Sequence, residues 1–425
     1  MKNFLNILKI MILLSVIGCS GSSDANDSGT EPPVVEPPVS QTVTPIPINP
    51  NKIFKHPGLL HTQADFDRIK AKVNANAEPW LAGWNKLTAN SHSKLTYTPN
   101  PVVKLIRGGN SAEEPEGDNY ASAMNDAAAA YQTAIRWKIT GDNAYANKSI
   151  EIMNAWASTC TRISGNSNVA LAAGIYGYQF ANAAEIMRDY NGWAPADFNK
   201  FKTWLKTVFL PISTDFLIRH NGTCFSHYWA NWDLCNVLNV MSIGVLTDDV
   251  ALYNTAITYL NSGIGNGQLL KTIWYDHKDG TAQIQESGRD QGHTLLCIGF
   301  LADIGQITWN QGDDVYGYND NLILIGAEYA AKYNYTTLTV PFQPYVNCNN
   351  ERHTVNNDVG RAGARPIWNG IYNHYVKRKG MAETAVRFTN IAKNVVGVDG
   401  GGGDFGPNSG GFDSLGFGTL MYTLD

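Results

Sequence analysis

Two short segments concentrate side chains able to handle an acidic sugar. One reads Phe225-Ser226-His227-Tyr228-Trp229-Ala230-Asn231-Trp232-Asp233, the other Gln285-Glu286-Ser287-Gly288-Arg289-Asp290-Gln291-Gly292-His293-Thr294. Each opens an otherwise apolar stretch with helical spacing. Residues four apart share a helix face, so the spacing predicts His227 above Asn231 and Arg289 above His293, with Glu286 on the same side. Amide and guanidinium groups donate hydrogen bonds to a carboxylate, imidazoles move protons, and Tyr228 and Trp229 present flat faces to a sugar ring. The combination points to an enzyme that degrades an acidic polysaccharide. Each residue also has a structural alternative. His227 can cap a helix, Asn231 can bond a neighbouring loop, and Arg289 can pair with Glu286 or Asp290.

These segments are positioned by a chain that reads as helix after helix. Asp126 to Ile139 is Ala-rich with apolar residues at helical spacing, ends at Thr140-Gly141-Asp142, and is followed by Tyr145 to Trp156. The layout recurs at Trp232 to Leu246 with Ala251 to Leu260, and at His293 to Trp309 with Asn321 to Tyr333. Helical hairpins repeating every roughly 40 to 60 residues stack as a solenoid or close into a toroid. The irregular repeat and the polar clusters at helix starts favour an all-α, (α/α) toroid whose inner helix ends line a cleft. Loops such as Asn110 to Asn119 and Gln343 to Asp358 are candidates to close its ends. The Gly-dense tail from Gly400 to Gly418 lacks the context of a phosphate loop and is expected to pack Phe405, Phe412 and Phe417 onto the body.

The N-terminus indicates export. Lys2 and Lys9 flank a short apolar run ending Val16-Ile17-Gly18-Cys19, too short for a stable span and laid out as a secretory signal. Small and aliphatic residues before Cys19 resemble a bacterial lipobox, so residues 1–19 read as a lipoprotein signal with Cys19 as the lipidated residue. Residues 20–52 are rich in Ser, Gly, Pro and Thr and read as a solvated tether, leaving 53–425 as one large domain. This predicts a bacterial lipoprotein at the outer membrane, cell surface or periplasm, touching membrane only through its lipid anchor. A net charge of −5 without a basic run excludes a general nucleic-acid binder, so a polyanion's site must be locally basic. Of the five remaining cysteines, Cys224 and Cys235 could pair, although Cys235 and Cys297 sit in apolar helical surroundings. No metal-ligand spacing is present, and no cofactor is expected. The sequence carries no reading of oligomeric state.

Several motifs taken together resemble the alginate lyase superfamily, bacterial polysaccharide lyases built on an incomplete helical toroid. They are His56-Pro57-Gly58-Leu59-Leu60-His61 with Asp65, Phe66 and Ile69; Gly174-Ile175-Tyr176-Gly177-Tyr178-Gln179-Phe180-Ala181-Asn182-Ala183-Ala184-Glu185; His227-Tyr228-Trp229; Glu286-Ser287-Gly288-Arg289-Asp290-Gln291; Trp309 to Gly317; and Arg365-Pro366-Ile367-Trp368 with Tyr372-Asn373-His374-Tyr375. The resemblance spans most of residues 54–425. It implies β-elimination on a uronic-acid polymer, alginate or a related uronan such as glucuronan. That reaction neutralises the C5 carboxylate, takes the C5 proton and protonates the departing glycosidic oxygen.

The resemblance also implies an adjacent Asn-His pair, a downstream Arg, and a Tyr two turns later. Here Ser226 precedes His227, so Asn231 is the substitute carboxylate ligand, and the helix after Arg289 offers no Tyr. The catalytic set expected is therefore His227, Asn231, Arg289, His293 and Tyr372, with Tyr316 and Tyr228 as other candidate tyrosines. Tyr178, Gln132, Tyr228, Trp229, Glu286, Tyr316, Arg361, Arg365 and His374 are the expected substrate contacts. Two other readings compete. A glycoside hydrolase on the same fold would need paired carboxylates from Asp313, Asp314, Glu286 or Asp404. A glycan-binding lipoprotein would need aromatic platforms alone.

Overall fold

The long helices differ in how much of their surface is apolar, and this sorts them into two layers. A computed structural model describes residues 43–425. Two helices, α1 (Gln63–Asn74) and α2 (Trp80–Ala89), precede the repeating hairpins. The hairpins are α3 (Ala121–Thr140) with α4 (Asn143–Thr159), α5 (Val169–Met187) with α6 (Pro195–Trp204) and α7 (Leu210–Arg219), and α8 (Ala230–Leu246) with α9 (Val250–Ser262). After a single turn, α10 (Leu269–Thr272), come α11 (Gln291–Asn310) and α12 (Tyr318–Tyr335). The six helical stretches expected from periodicity are all present, each longer by one to five residues at an end.

The first helices of the hairpins pack side by side, α3 on α5, α5 on α8 and α8 on α11, forming an inner layer. Nearly every residue of α5 and α8 is buried, as a helix covered on all sides requires. The outer helices bury only a stripe, such as Tyr253, Ala256, Ile257 and Leu260 on α9. Taking Ile257 or Leu260 out of water contributes about 1.5–3 kcal/mol each. Gly174 and Gly177 allow the closest inner contact, since a Cβ at either would lie 2.5 Å from Cys235 Sγ or 2.2 Å from Asn239 Oδ1. The result is the expected helical toroid, with three small two-stranded sheets among the described residues: β1 (Lys104–Ile106) with β2 (Arg162–Ser164), β3 (Ile273–Asp276) with β4 (Ala282–Ile284), and β5 (Tyr345–Val346) with β6 (Arg352–His353).

The rest of the α5 motif holds the ends of the chain. Asn182 Oδ1 and Glu185 Oε1 accept the N–H groups of Leu60 and Gly58. Tyr178 and Gln179 donate to the carbonyls of Asp413 and Phe412 in the tail. Phe412 and Phe417 are buried as expected, while Phe405 is only half-buried.

Two sequence expectations need revision. Residues 43–52 lie against the body rather than in a solvated tether. Ile46 is buried and exchanges two hydrogen bonds with Asn261, and Lys52 pairs with Asp313. Cys224 pairs with Cys348, not Cys235, while Cys160, Cys235 and Cys297 are free and buried. The expected signal, Cys19 and residues 20–42 of the expected tether lie outside the described residues.

Two buried histidines predict acid sensitivity. His61 donates or accepts at Tyr131 Oη, and burial pulls it down to about 4. His374 has both ring nitrogens unpartnered, and burial, aided by Arg378, pulls it down to about 3. Below pH 6.5 the unfolded chain binds protons that these folded imidazoles refuse. Their contribution to stability is therefore present above pH 6.5 and is lost as pH falls towards 4, by about 2 kcal/mol per histidine at pH 5. Urea midpoints at pH 8 and pH 5 should diverge, and His374→Phe should narrow the gap.

Candidate active site

The two segments expected to carry the chemistry meet at the N-terminal ends of α8 and α11, through a buried carboxylate. Glu286 is fully buried in a 3-10 turn, Gln285–Gly288. Its Oε1 accepts the backbone N–H and side-chain amide of Asn231, and its Oε2 lies 3.1 Å from Arg289 Nη1. Asn231 is 1% exposed and spends its amide on Glu286. It is therefore a support for Glu286 rather than a carboxylate ligand, and Glu286 is a support for Arg289 rather than a sugar contact. Glu286→Gln should cost about 1–3 kcal/mol in urea denaturation and loosen Arg289, because an amide cannot satisfy three donors.

Local backbone structure differs from the expected continuous helix. Asp290 is the N-cap of α11, accepting the His293 N–H at 2.8 Å, so Arg289 and His293 are not stacked on one helix face. They are joined through Asp290 instead. Asp290 Oδ2 lies 2.7 Å from His293 Nδ1 and 3.5 Å from Arg289 Nε. Burial works to raise the Asp290 carboxyl, but the hydrogen bonds from His293 and the adjoining charges outweigh it and hold it below the usual range. An ionised carboxylate only accepts, so the ring proton of neutral His293 sits on Nδ1 and Nε2 keeps a free lone pair. The His293 side chain is 39% exposed, and that nitrogen can take a proton.

Aromatic and cationic groups surround this pair. Arg289 lies over the Trp229 ring at 5.3 Å, and Trp229 meets the His353 ring edge-on at 5.1 Å. Arg365 pairs with buried Asp413 at 3.5 Å. Burial pushes the Asp413 carboxyl up, opposed by the charges of Arg365 and Arg107 and by His293 when it is protonated, so these three groups converge on one region. Arg107 sits over Tyr120 at 5.0 Å and donates to Tyr176 Oη at 3.3 Å. Arg289, Arg365 and Arg107 are matched here by Glu286, Asp290 and Asp413, so the region is charge-paired rather than the net basic site expected from the sequence. His227 precedes α8, and its Nδ1 lies 2.8 Å from Asn349 Nδ2.

Several expected site residues lie elsewhere. Tyr372 donates to Glu383 and lies beside Lys393. His374 is fully buried and stacks on Tyr316, whose hydroxyl donates to Ala302. Gln132 and Tyr178 are fully buried in the inner layer. Tyr228 turns inward onto Phe216 and accepts from Asn221. Arg361 lies over Tyr333 and pairs with Asp358. Tyr372, Tyr316, Tyr178, Tyr228 and Arg361 thus have internal partners, while the buried polar atoms of Gln132 and His374 have none among the described residues. Of the expected set, His227, Trp229, Arg289 and His293 are partly exposed; Arg289 lies over Trp229, and Arg365 reaches the region through Asp413.

Arg107, Tyr120, His353 and Asn349 were not anticipated, and Asp290 was expected only as a partner for Arg289. Only Asp290 carried a readable signal, an Asp directly before an apolar helical run. The carboxylates needed by a hydrolase are dispersed. Asp313 binds Lys52 and Tyr253, Asp314 binds Lys379, and Asp404 binds Asn90. Among the described residues, no group of three His, Cys, Asp or Glu side chains is placed to hold a metal.

Similarity to known proteins points the same way. Solved structures with this fold include alginate lyase A1-III from Sphingomonas species A1, at 16% identity and TM-score 0.55, covering 88% of this chain and 98% of that one. A variant of that enzyme complexed with tetrasaccharide aligns at 16% identity and TM-score 0.58 over 89% of this chain and 99% of that one. An alginate lyase from Bacteroides ovatus aligns at 12% identity and TM-score 0.58 over 87% and 100%. No curated protein sequence matches. The alginate lyase family model matches residues 73–337, a span that includes α3 to α12 and both site segments, and the chain therefore belongs to the alginate lyase family of polysaccharide lyases.

Proposed function

We propose that this protein is an exported lipoprotein lyase that cleaves alginate or a related uronan by β-elimination. The observation that carries the reading is the Glu286–Arg289–Asp290–His293 array, an anchored guanidinium beside an imidazole whose free nitrogen is a proton acceptor. Arg289 binds the C5 carboxylate and stabilises the charge that develops there as the C5–H bond breaks. His293 Nε2 takes that proton. The electron pair forms the C4–C5 double bond, the C4–O bond breaks, and the glycosidic oxygen leaves with a proton taken from water, while the His293 imidazolium returns its proton to solvent. Trp229 provides the stacking face.

The polymer is identified by incubating the body, beginning near Val43, with polymannuronate, polyguluronate, glucuronan and a neutral glycan in turn. Ultraviolet absorbance of unsaturated ends should rise with one or more of the acidic polymers and not with the neutral glycan. A rise on none of the three acidic polymers would refute the uronan reading.

A further inference from the structure

The β5–β6 hairpin reaches the site from a part of the chain beyond residue 337, where the family match ends. Three contacts fix it on the segment before α8. Cys348 is disulfide-bonded to Cys224 with Cα atoms 6.2 Å apart, the Cys348 N–H donates to Ser226 Oγ at 2.8 Å, and Asn349 reaches His227. The turn is itself rigidly tied. Asn347 Oδ1 accepts the N–H groups of both Asn349 and Glu351, and its side-chain amide donates to Glu351. On the opposite strand, His353 stacks on Tyr345 and closes on Trp229. Ser226 is thus the hairpin's anchor rather than a sugar ligand.

We propose that Asn349 is a positioning residue that holds His227 in the tautomer protonated on Nε2. Asn349 Nδ2 lies 2.8 Å from His227 Nδ1 and donates to it, which requires a lone pair on Nδ1 and places the ring proton on Nε2. His293 is held in the opposite way, with its proton on Nδ1 facing Asp290. The two histidines of the site are therefore set as a pair, His293 as proton acceptor and His227 as hydrogen-bond donor to the departing glycosidic oxygen. Different neighbours driving two similar groups into opposite states is how acid and base roles are separated. The catalytic half of this inference rests on the lyase reading above; the tautomer does not.

The test compares wild type with Asn349→Asp and Asn349→Ala. Asn349 is exposed, so neither change removes packing. An aspartate only accepts and would pull the His227 proton to Nδ1. The expected result is a fall in kcat of about 10- to 100-fold in Asn349→Asp with KM nearly unchanged, and a smaller fall in Asn349→Ala. Nitrogen-15 spectra of the imidazoles, read without substrate and assigned with His227→Gln, should show His227 protonated on Nε2 in wild type and on Nδ1 in Asn349→Asp. A wild-type His227 protonated on Nδ1, or full activity in Asn349→Asp, would overturn the proposal. Wild-type protein inert on polymannuronate, polyguluronate and glucuronan would instead overturn the lyase reading and the donor role with it, leaving the tautomer to stand or fall on the spectra.

Discussion

His293→Gln should lower kcat on a polyuronan by about 100- to 10,000-fold while changing KM little. The expectation follows from how His293 is held. Its backbone N–H is capped by Asp290 Oδ1, so α11 keeps its first turn when the side chain changes. Its ring is fixed by Asp290 Oδ2, leaving Nε2 as the free base. Glutamine preserves bulk and polarity but accepts no proton, so binding survives and the proton-transfer step does not. Initial rates by ultraviolet absorbance across a range of polymer concentrations separate the two. A variant that loses affinity but retains kcat would show that His293 binds rather than reacts.

Arg289→Ala should be nearly as severe, about 100- to 1,000-fold in kcat, or roughly 3–4 kcal/mol of transition-state stabilisation. Charge grows on the carboxylate as the C5 proton leaves, so an interaction that strengthens at that moment appears in kcat rather than only in KM. Arg289→Lys should restore little. Arg289 reaches Glu286 through Nη1 and Asp290 through Nε while facing Trp229, three directions that a single ammonium cannot serve. Recovery of most activity by lysine would show that charge alone suffices and that the anchoring by Glu286 is incidental.

What could be read from the sequence was local. The helical hairpins follow from apolar periodicity interrupted by Gly and Asp, and the structure places each where the pattern puts it. The two site segments were legible because donors and imidazoles cluster where an apolar run begins. Their geometry was not, since the chain before α8 and α11 turns rather than continuing as helix. His227 therefore stands outside α8, and Asp290 joins Arg289 to His293. Tyr372 and His374 were misplaced for a related reason. A Tyr/His-rich stretch looks the same whether it faces a cleft or packs on Tyr316 and Glu383. Contacts between distant segments left no local trace. The Cys224–Cys348 bridge and the Asn349–His227 contact join residues more than 120 apart, and only the folded chain brings them together.

Some of the sequence signals mark the scaffold rather than the chemistry. Gly174 and Gly177 let α5 approach α8, and Asn182 and Glu185 secure the N-terminal segment. The Arg365–Asp413 pair ties the Gly-rich tail to the site.

The most direct test of the central claim is the ratio of products on the preferred polyuronan. Unsaturated ends by ultraviolet absorbance and new reducing ends are counted in the same reaction. β-Elimination at Arg289 and His293 predicts one unsaturated end for every new reducing end, with both signals lost together in His293→Gln. New reducing ends without unsaturation would mean that water, not elimination, breaks the bond, and would contradict the account.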